Sequence, residues 1–117
     1  METKTLTAII TFKGNTTKME YHLTNHFSKR SRQRAISEEQ IEYALNCGEE
    51  IEKQGYLFYV VGGKINGKGL SPQKRKKLKN LVVVTCADEN VLVTTYRNND
   101  PFKHIGKKSK KKVRYAA

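Results

Sequence analysis

His26, Arg30 and Arg34 recur at spacings of four and four, which puts them within a stripe ~80° wide on one helix face. Three donors able to carry positive charge along one face repel each other unless solvated, paired with carboxylates or turned to an anion. Arginine suits phosphate because its planar guanidinium donates two parallel hydrogen bonds. Histidine, with a free pKa of ~6.5, can move protons near neutrality. The three could therefore bind a phosphodiester and take part in acid–base attack on it. The stripe also reads as a polar face neutralised by the acids that follow it, and spacing alone does not choose. A second group is Thr94, Thr95, Tyr96 and Arg97. Strand alternation sends Thr94 and Tyr96 to one face, Thr95 and Arg97 to the other. Tyr96 beside Arg97 can stack a base or donate to a phosphate; it also reads as a core tyrosine with a wet hydroxyl.

The charge around these residues favours an anionic partner. The 117 residues hold 23 Lys plus Arg against 11 Asp plus Glu, a net charge of +12. Acids gather in one stretch: Glu38, Glu39, Glu42, Glu49, Glu50 and Glu52. Bases occupy three. Lys29, Arg30, Arg32 and Arg34 form the first; Lys68, Lys74, Arg75, Lys76, Lys77 and Lys79 the second; Lys103, Lys107, Lys108, Lys110, Lys111, Lys112 and Arg114 the third. Such blocks repel themselves until a partner neutralises them, and nucleic acid is the partner expected. Its contacts are assigned to Lys29, Arg32, Lys74, Arg75, Lys76, Lys77, Lys79, Arg97, Lys107, Lys108, Lys110, Lys111, Lys112 and Arg114. A membrane surface attracts lysines too, but no amphipathic helix with apolar anchors accompanies them.

Other chemistries find little support. Gly62-Gly63 and the lysines beyond lack the spacing of a phosphate-binding loop. His22, His26 and His104 lack metal-ligand spacing, so no metal and no cofactor is expected. No apolar run reaches the ~18–20 residues of a membrane span, and no basic segment leads into an apolar one as in a secretory signal. Cys47 and Cys86 sit in apolar patterns and read as buried reduced thiols, which suits the cytoplasm.

The elements that must position these residues follow from periodicity and turn chemistry. Thr5–Phe12 and Thr17–Leu23 alternate around Lys13-Gly14-Asn15 and predict a hairpin. Thr24 or Asn25 can cap a first helix running to about Arg34, in which Phe27 is almost the only large apolar residue. Ser37-Glu38-Glu39-Gln40 is a capping box, opening a second helix through Ile41, Ala44 and Leu45 to a stop at Gly48. Tyr56–Val61, Leu81–Cys86 and Val91–Tyr96 are β-branched and aromatic runs that predict a three-strand antiparallel meander. The result is one α+β domain over residues 1–102: a hairpin in 1–23, two helices in 24–48 and a sheet in 56–97 with a basic loop at 62–80. A basic tail, 103–117, follows.

The run His26-Phe27-Ser28-Lys29-Arg30-Ser31-Arg32-Gln33-Arg34-Ala35-Ile36-Ser37 resembles the H-x-x-x-R-x-x-x-R-[GA]-I-[ST] signature of domain-of-unknown-function family 4258. A helix ending at Gly48-Glu49, the aromatic strand at Tyr56 and the runs Val82-Val83-Val84-Thr85 and Val93-Thr94-Thr95-Tyr96 extend the likeness from His22 to Arg97. Members of that family resemble RelE/ParE-like toxins of the barnase, EndoU, colicin and RelE group of RNases. The resemblance implies two N-terminal helices packed on a small antiparallel sheet. It also implies metal-independent RNA cleavage by attack of the ribose 2′-hydroxyl on the adjacent phosphate. Its signature positions fall on His26, Arg30 and Arg34, and its strand-end aromatic on Tyr96, which become the expected catalytic residues. The basic insertion Gly67–Lys79 departs from the family pattern, and the hairpin and tail lie outside it.

Two readings lead. The first is a toxin-like endoribonuclease: His26 handles the 2′-hydroxyl or leaving-group proton, and Arg30 and Arg34 stabilise charge on the phosphorus centre. Tyr96 positions a base, and an acidic antitoxin-like protein masks the site. The second is a non-catalytic nucleic-acid-binding protein that uses the same cations for positioning. A ribonucleoprotein-associated adaptor, whose tail folds on binding, ranks third.

Overall fold

The β-branched N-terminal run pairs as its alternation predicts. In the computed structural model, β1 (Lys4–Phe12) and β2 (Asn15–Leu23) form an antiparallel hairpin, with Gly14 at φ +81° in the turn. The structure describes residues 4–12, 14–62, 70–101 and 105. Two helices follow, α1 (Asn25–Gln33) and α2 (Glu38–Cys47). Then come β3 (Glu49–Lys53), β4 (Tyr56–Val60), α3 (Pro72–Leu78), β5 (Leu81–Cys86) and β6 (Val91–Arg97). The fold is α+β.

The sheet is larger than expected and it is mixed. Its six strands run in the order β1-β2-β6-β5-β4-β3. The meander has four antiparallel strands rather than three, because β3 pairs with β4. Gln54 and Gly55 make that turn with φ of +54° and +84°, the left-handed pair that a tight hairpin needs. The N-terminal hairpin joins the meander through one short parallel contact, His22 opposite Val91 and Leu23 opposite Leu92. Two helices also become three among the described residues. Within the stretch expected as a loop, Ser71 caps α3 by accepting from the Lys74 amide (3.2 Å), with Pro72 at its start. Proline there loses nothing, since the first helical amides have no intrahelical acceptor.

Each face of the sheet carries a core. The helical face buries Leu6, Leu23, Phe27, Ile36, Ile41, Leu45, Val83 and Leu92, with α1 lying on β6 and α2 on β1 and β5. The opposite face buries Ile51, Phe58, Val60, Val82 and Val84 together with Ile105, which is fully enclosed. Sequence reading assigns Ile105 to the tail, yet it closes the second core. Gly48 ends α2 in an ordinary extended conformation. What demands glycine there is space, since a Cβ would collide with the Ala44 carbonyl and press on the Val60 amide. No helix among the described residues is long and apolar enough to cross a membrane.

Candidate nucleic-acid interface

Helix α1 is built with one narrow buried side. Thr24 caps it, accepting from the Phe27 amide at 3.0 Å. Phe27 and Ser31, one turn apart, face the core, and the Ser31 hydroxyl donates to the Ser28 carbonyl at 3.0 Å. His26, Lys29, Arg30, Arg32 and Arg34 are all exposed.

The signature around these residues divides into two halves with different physics. Arg34-Ala35-Ile36-Ser37 is a connector between helices. The Ile36 amide donates to the Ser31 carbonyl (2.8 Å) and the Ala35 amide to that of Arg32 (3.1 Å), the paired bonds of a Schellman turn. That turn puts Ala35 at φ +53°, a left-handed position that costs a residue with a Cβ roughly 1–2 kcal/mol. Ile36 is buried at the turn, and Ser37 opens α2 with a complete capping box through Gln40. Arg34 donates from Nη1 to the Thr95 carbonyl at 2.7 Å. Strand β2 leaves β6 after Leu92, and Arg34 covers this carbonyl on the side it vacates. The Arg30 carbonyl accepts from the Arg34 amide at 3.0 Å, but the side chains of His26 and Arg30 take no part in the connector.

Among the residues expected to act together, the structure brings Arg34 near Tyr96 and leaves His26 apart. Tyr96 faces the second core beside Val82 and its hydroxyl oxygen is buried. Burial raises its pKa above that of a free phenol, and the Arg34 guanidinium offsets part of this, so the group is a neutral phenol near pH 7. His26 lies eight residues before Arg34, about 12 Å along a helix axis. His26 and Arg30 are one turn apart, about 6 Å.

Arg97, expected on a nucleic-acid surface, is engaged with the protein's own backbone. Its Nε donates to the Lys77 carbonyl (3.0 Å), Nη1 to that of Arg34 (2.8 Å) and Nη2 to that of Ala35 (3.3 Å). Nη2 also reaches the Gln40 amide oxygen at 3.3 Å. One guanidinium thus ties the C-terminal turns of α1 and α3 together. The carbonyls it satisfies are the negative ends of both helix dipoles. Sequence reading missed this role because Arg97 is 63 and 20 positions from two of its partners.

The junction gathers two of the three basic segments. Lys74, Arg75, Lys76 and Lys77 on α3, and Lys79 just after it, are exposed, as are Lys29, Arg30 and Arg32 on α1. Lys74 pairs with Glu39 of α2 at 3.6 Å. That pair draws an acid of α2 toward α3 rather than toward the stripe on α1. Lys107, Lys108, Lys110, Lys111, Lys112 and Arg114 lie outside the described residues, as does the basic stretch before Leu70. Between α2 and α3 runs a groove of about 690 Å³. Cys47 lines it and is exposed, not buried as expected, and Cys86 is partly exposed. Partial burial still raises the Cys47 pKa, so it is a thiol rather than a reactive thiolate. No group of His, Cys, Asp and Glu suited to a metal ion occurs among the described residues.

The family model for a domain of unknown function, DUF4258, matches residues 23–97. That span runs from the end of β2 through β6, and the chain belongs to this family. No curated protein and no solved structure matches it. The matched segment starts at Leu23, one of the two residues that pair β2 with β6, and ends on Arg97, the residue that joins α1 to α3.

Proposed function

We propose that the protein binds RNA through the phosphate backbone, held by the exposed cations around the joined ends of α1 and α3. The observation that carries this is the Arg97 junction. It fixes two lysine- and arginine-rich helices against each other although their cations gain nothing from adjacency without an anion. Spaced cations on rigid helices match a chain of spaced phosphates. Free cysteines fit a cytoplasmic location, and an acidic antitoxin-like protein is a second partner for the same surface. The test is RNA binding across a salt series. Replacing Lys76 and Lys77 with Gln should weaken binding of all sequences alike. It should also make log K against log salt shallower by about 0.7 for each single-strand phosphate no longer neutralised. An unchanged slope overturns the reading.

The endoribonuclease reading rests on a narrower observation. His26 and Arg30 are exposed one turn apart, and the connector after α1 needs neither side chain. In that reading His26 takes the 2′-hydroxyl proton and Arg30 stabilises the charge that develops on phosphate oxygens. Arg34 and Tyr96 then hold the adjoining strand edge. His26→Ala should leave RNA affinity nearly unchanged and slow cleavage ~10²–10⁴-fold. Equal cleavage by wild type and variant overturns it.

A further inference from the structure

We propose that the groove between α2 and α3 takes an unpaired base of single-stranded RNA, one bearing an exocyclic amine. This rests on the RNA-binding reading above and adds to it a means of telling strands and bases apart. The volume of about 690 Å³ falls within the roughly 300–1,000 Å³ of small-molecule sites, ample for a base. The floor is apolar and aromatic: Tyr43 and Leu70 pack on the main core and line the groove. Bases splayed from a single strand stack on such rings, whereas a duplex keeps its bases inside.

The rim has the charge pattern that a nucleotide requires. Arg32 from α1 and Lys77 from α3 stand on it, and both belong to the basic helices joined by Arg97. A phosphate held there leaves its base at the groove mouth. From the α2 side the half-buried Glu42 contributes a carboxylate. Gln40, also on the lining, already accepts at its amide oxygen from Arg97 and from the Ser37 amide. An ionised carboxylate only accepts hydrogen bonds, so it selects bases with an amine to donate. Cytosine and adenine offer one, as does guanine, whereas uracil offers only its single ring N–H. An acidic peptide would meet Glu42 as repulsion.

Cys47 provides the readout, because its thiol lines the groove and is exposed. The full chain would be alkylated at mildly alkaline pH, with Cys47 followed by mass spectrometry against Cys86. The additions are homo-oligomers of C, A or U, a duplex RNA, or inorganic polyphosphate, each at saturating concentration. The C and A oligomers should slow Cys47 alkylation on the order of tenfold. U should protect less, and the duplex and polyphosphate should bind without protecting. Glu42→Gln should narrow the preference for C over U while duplex affinity stays about the same. Tyr43→Leu keeps an apolar floor and should cost single-strand affinity on the order of tenfold. Equal protection by every polyanion, or none from oligomers that demonstrably bind, overturns the base site and leaves backbone binding standing. Failure of every polyanion to bind removes both.

Discussion

Arg97 and Tyr59 show how single side chains hold distant parts of this fold in register. Arg97 donates to the carbonyls of Lys77, Arg34 and Ala35, and to Gln40. Lysine would keep the charge and lose the planar fork. Arg97→Lys should therefore destabilise the protein by about 1–3 kcal/mol in urea melts, the range for losing charged hydrogen bonds. It should also weaken RNA binding, since the two helices lose their fixed relation. A variant that melts and binds like wild type would show that the junction is held by packing alone. Tyr59 bridges differently. Its hydroxyl donates to Glu50 at 3.0 Å and lies beside the Tyr21 phenol of β2. Burial raises the pKa of both phenols above the ordinary tyrosine value of 10.0, with the Glu50 carboxylate adding to the effect. The unfolded chain therefore gives up these protons first as pH rises. The stability they confer is complete below about pH 10 and is lost progressively above it. Denaturant midpoints between about pH 9 and about pH 11 should fall steeply for wild type and less steeply for Tyr59→Phe. Parallel falls would mean that other groups govern the alkaline limit.

Between α1 and α2 the element boundaries are set by a left-handed alanine. Ala35 occupies φ +53° in the Schellman turn, where glycine has no Cβ penalty. Ala35→Gly should raise stability by about 0.5–1 kcal/mol, relief of the left-handed strain less the added freedom of the unfolded chain. A loss instead would mean that the Ala35 methyl contributes packing worth more than the strain. Leu45, on the buried side of α2, offers the opposite case: Leu45→Ala should cost about 2–5 kcal/mol in the same melts. These features were legible in the sequence because they are local. Thr24 and Ser37 announce helix starts, Gly48 a stop, and the apolar spacing Ile41, Ala44, Leu45 a buried face. Strand β3 was not, because an edge strand reading Glu-Glu-Ile-Glu-Lys carries one apolar residue and relies on its pairing with β4. Helix α3 carried the Ser71-Pro72 start signal but no apolar periodicity beyond Leu78, so its lysines read as a loop. The parallel contact of β2 with β6 involves residues 69 apart, and nothing local encodes it. Of the candidate site, the stripe on α1 was visible from spacing. The division between connector and exposed residues needed the backbone bonds of Ala35 and Ile36. The groove needed α3.

At the scale of the whole molecule the question is how a net charge of +12 is shared among separate basic segments. Two of them meet at the Arg97 junction on rigid helices. The third, the run from Lys107 to Arg114, lies outside the described residues and beyond the family match, which ends at Arg97. If phosphates are held by the rigid junction and the tail independently, each set contributes its own counterion release. Their effects on the salt slope then add, because log K depends linearly on the number of phosphates neutralised. Deleting residues 107–117 should make log K against log salt shallower by about 0.7 for each single-strand phosphate that the tail neutralises. Combining that deletion with Lys76→Gln and Lys77→Gln should change the slope by the sum of the separate changes. Melting temperatures of the full chain and the deletion should agree, since the core among the described residues is built from residues up to Ile105. The base preference proposed for the groove should survive the deletion as well, because Tyr43 and Glu42 lie in α2. A slope unchanged by the deletion would confine the interface to the junction. A combined change smaller than the sum would mean that tail and junction hold the same phosphates. Loss of the preference for C over U would mean that the tail, not the groove, reads the bases.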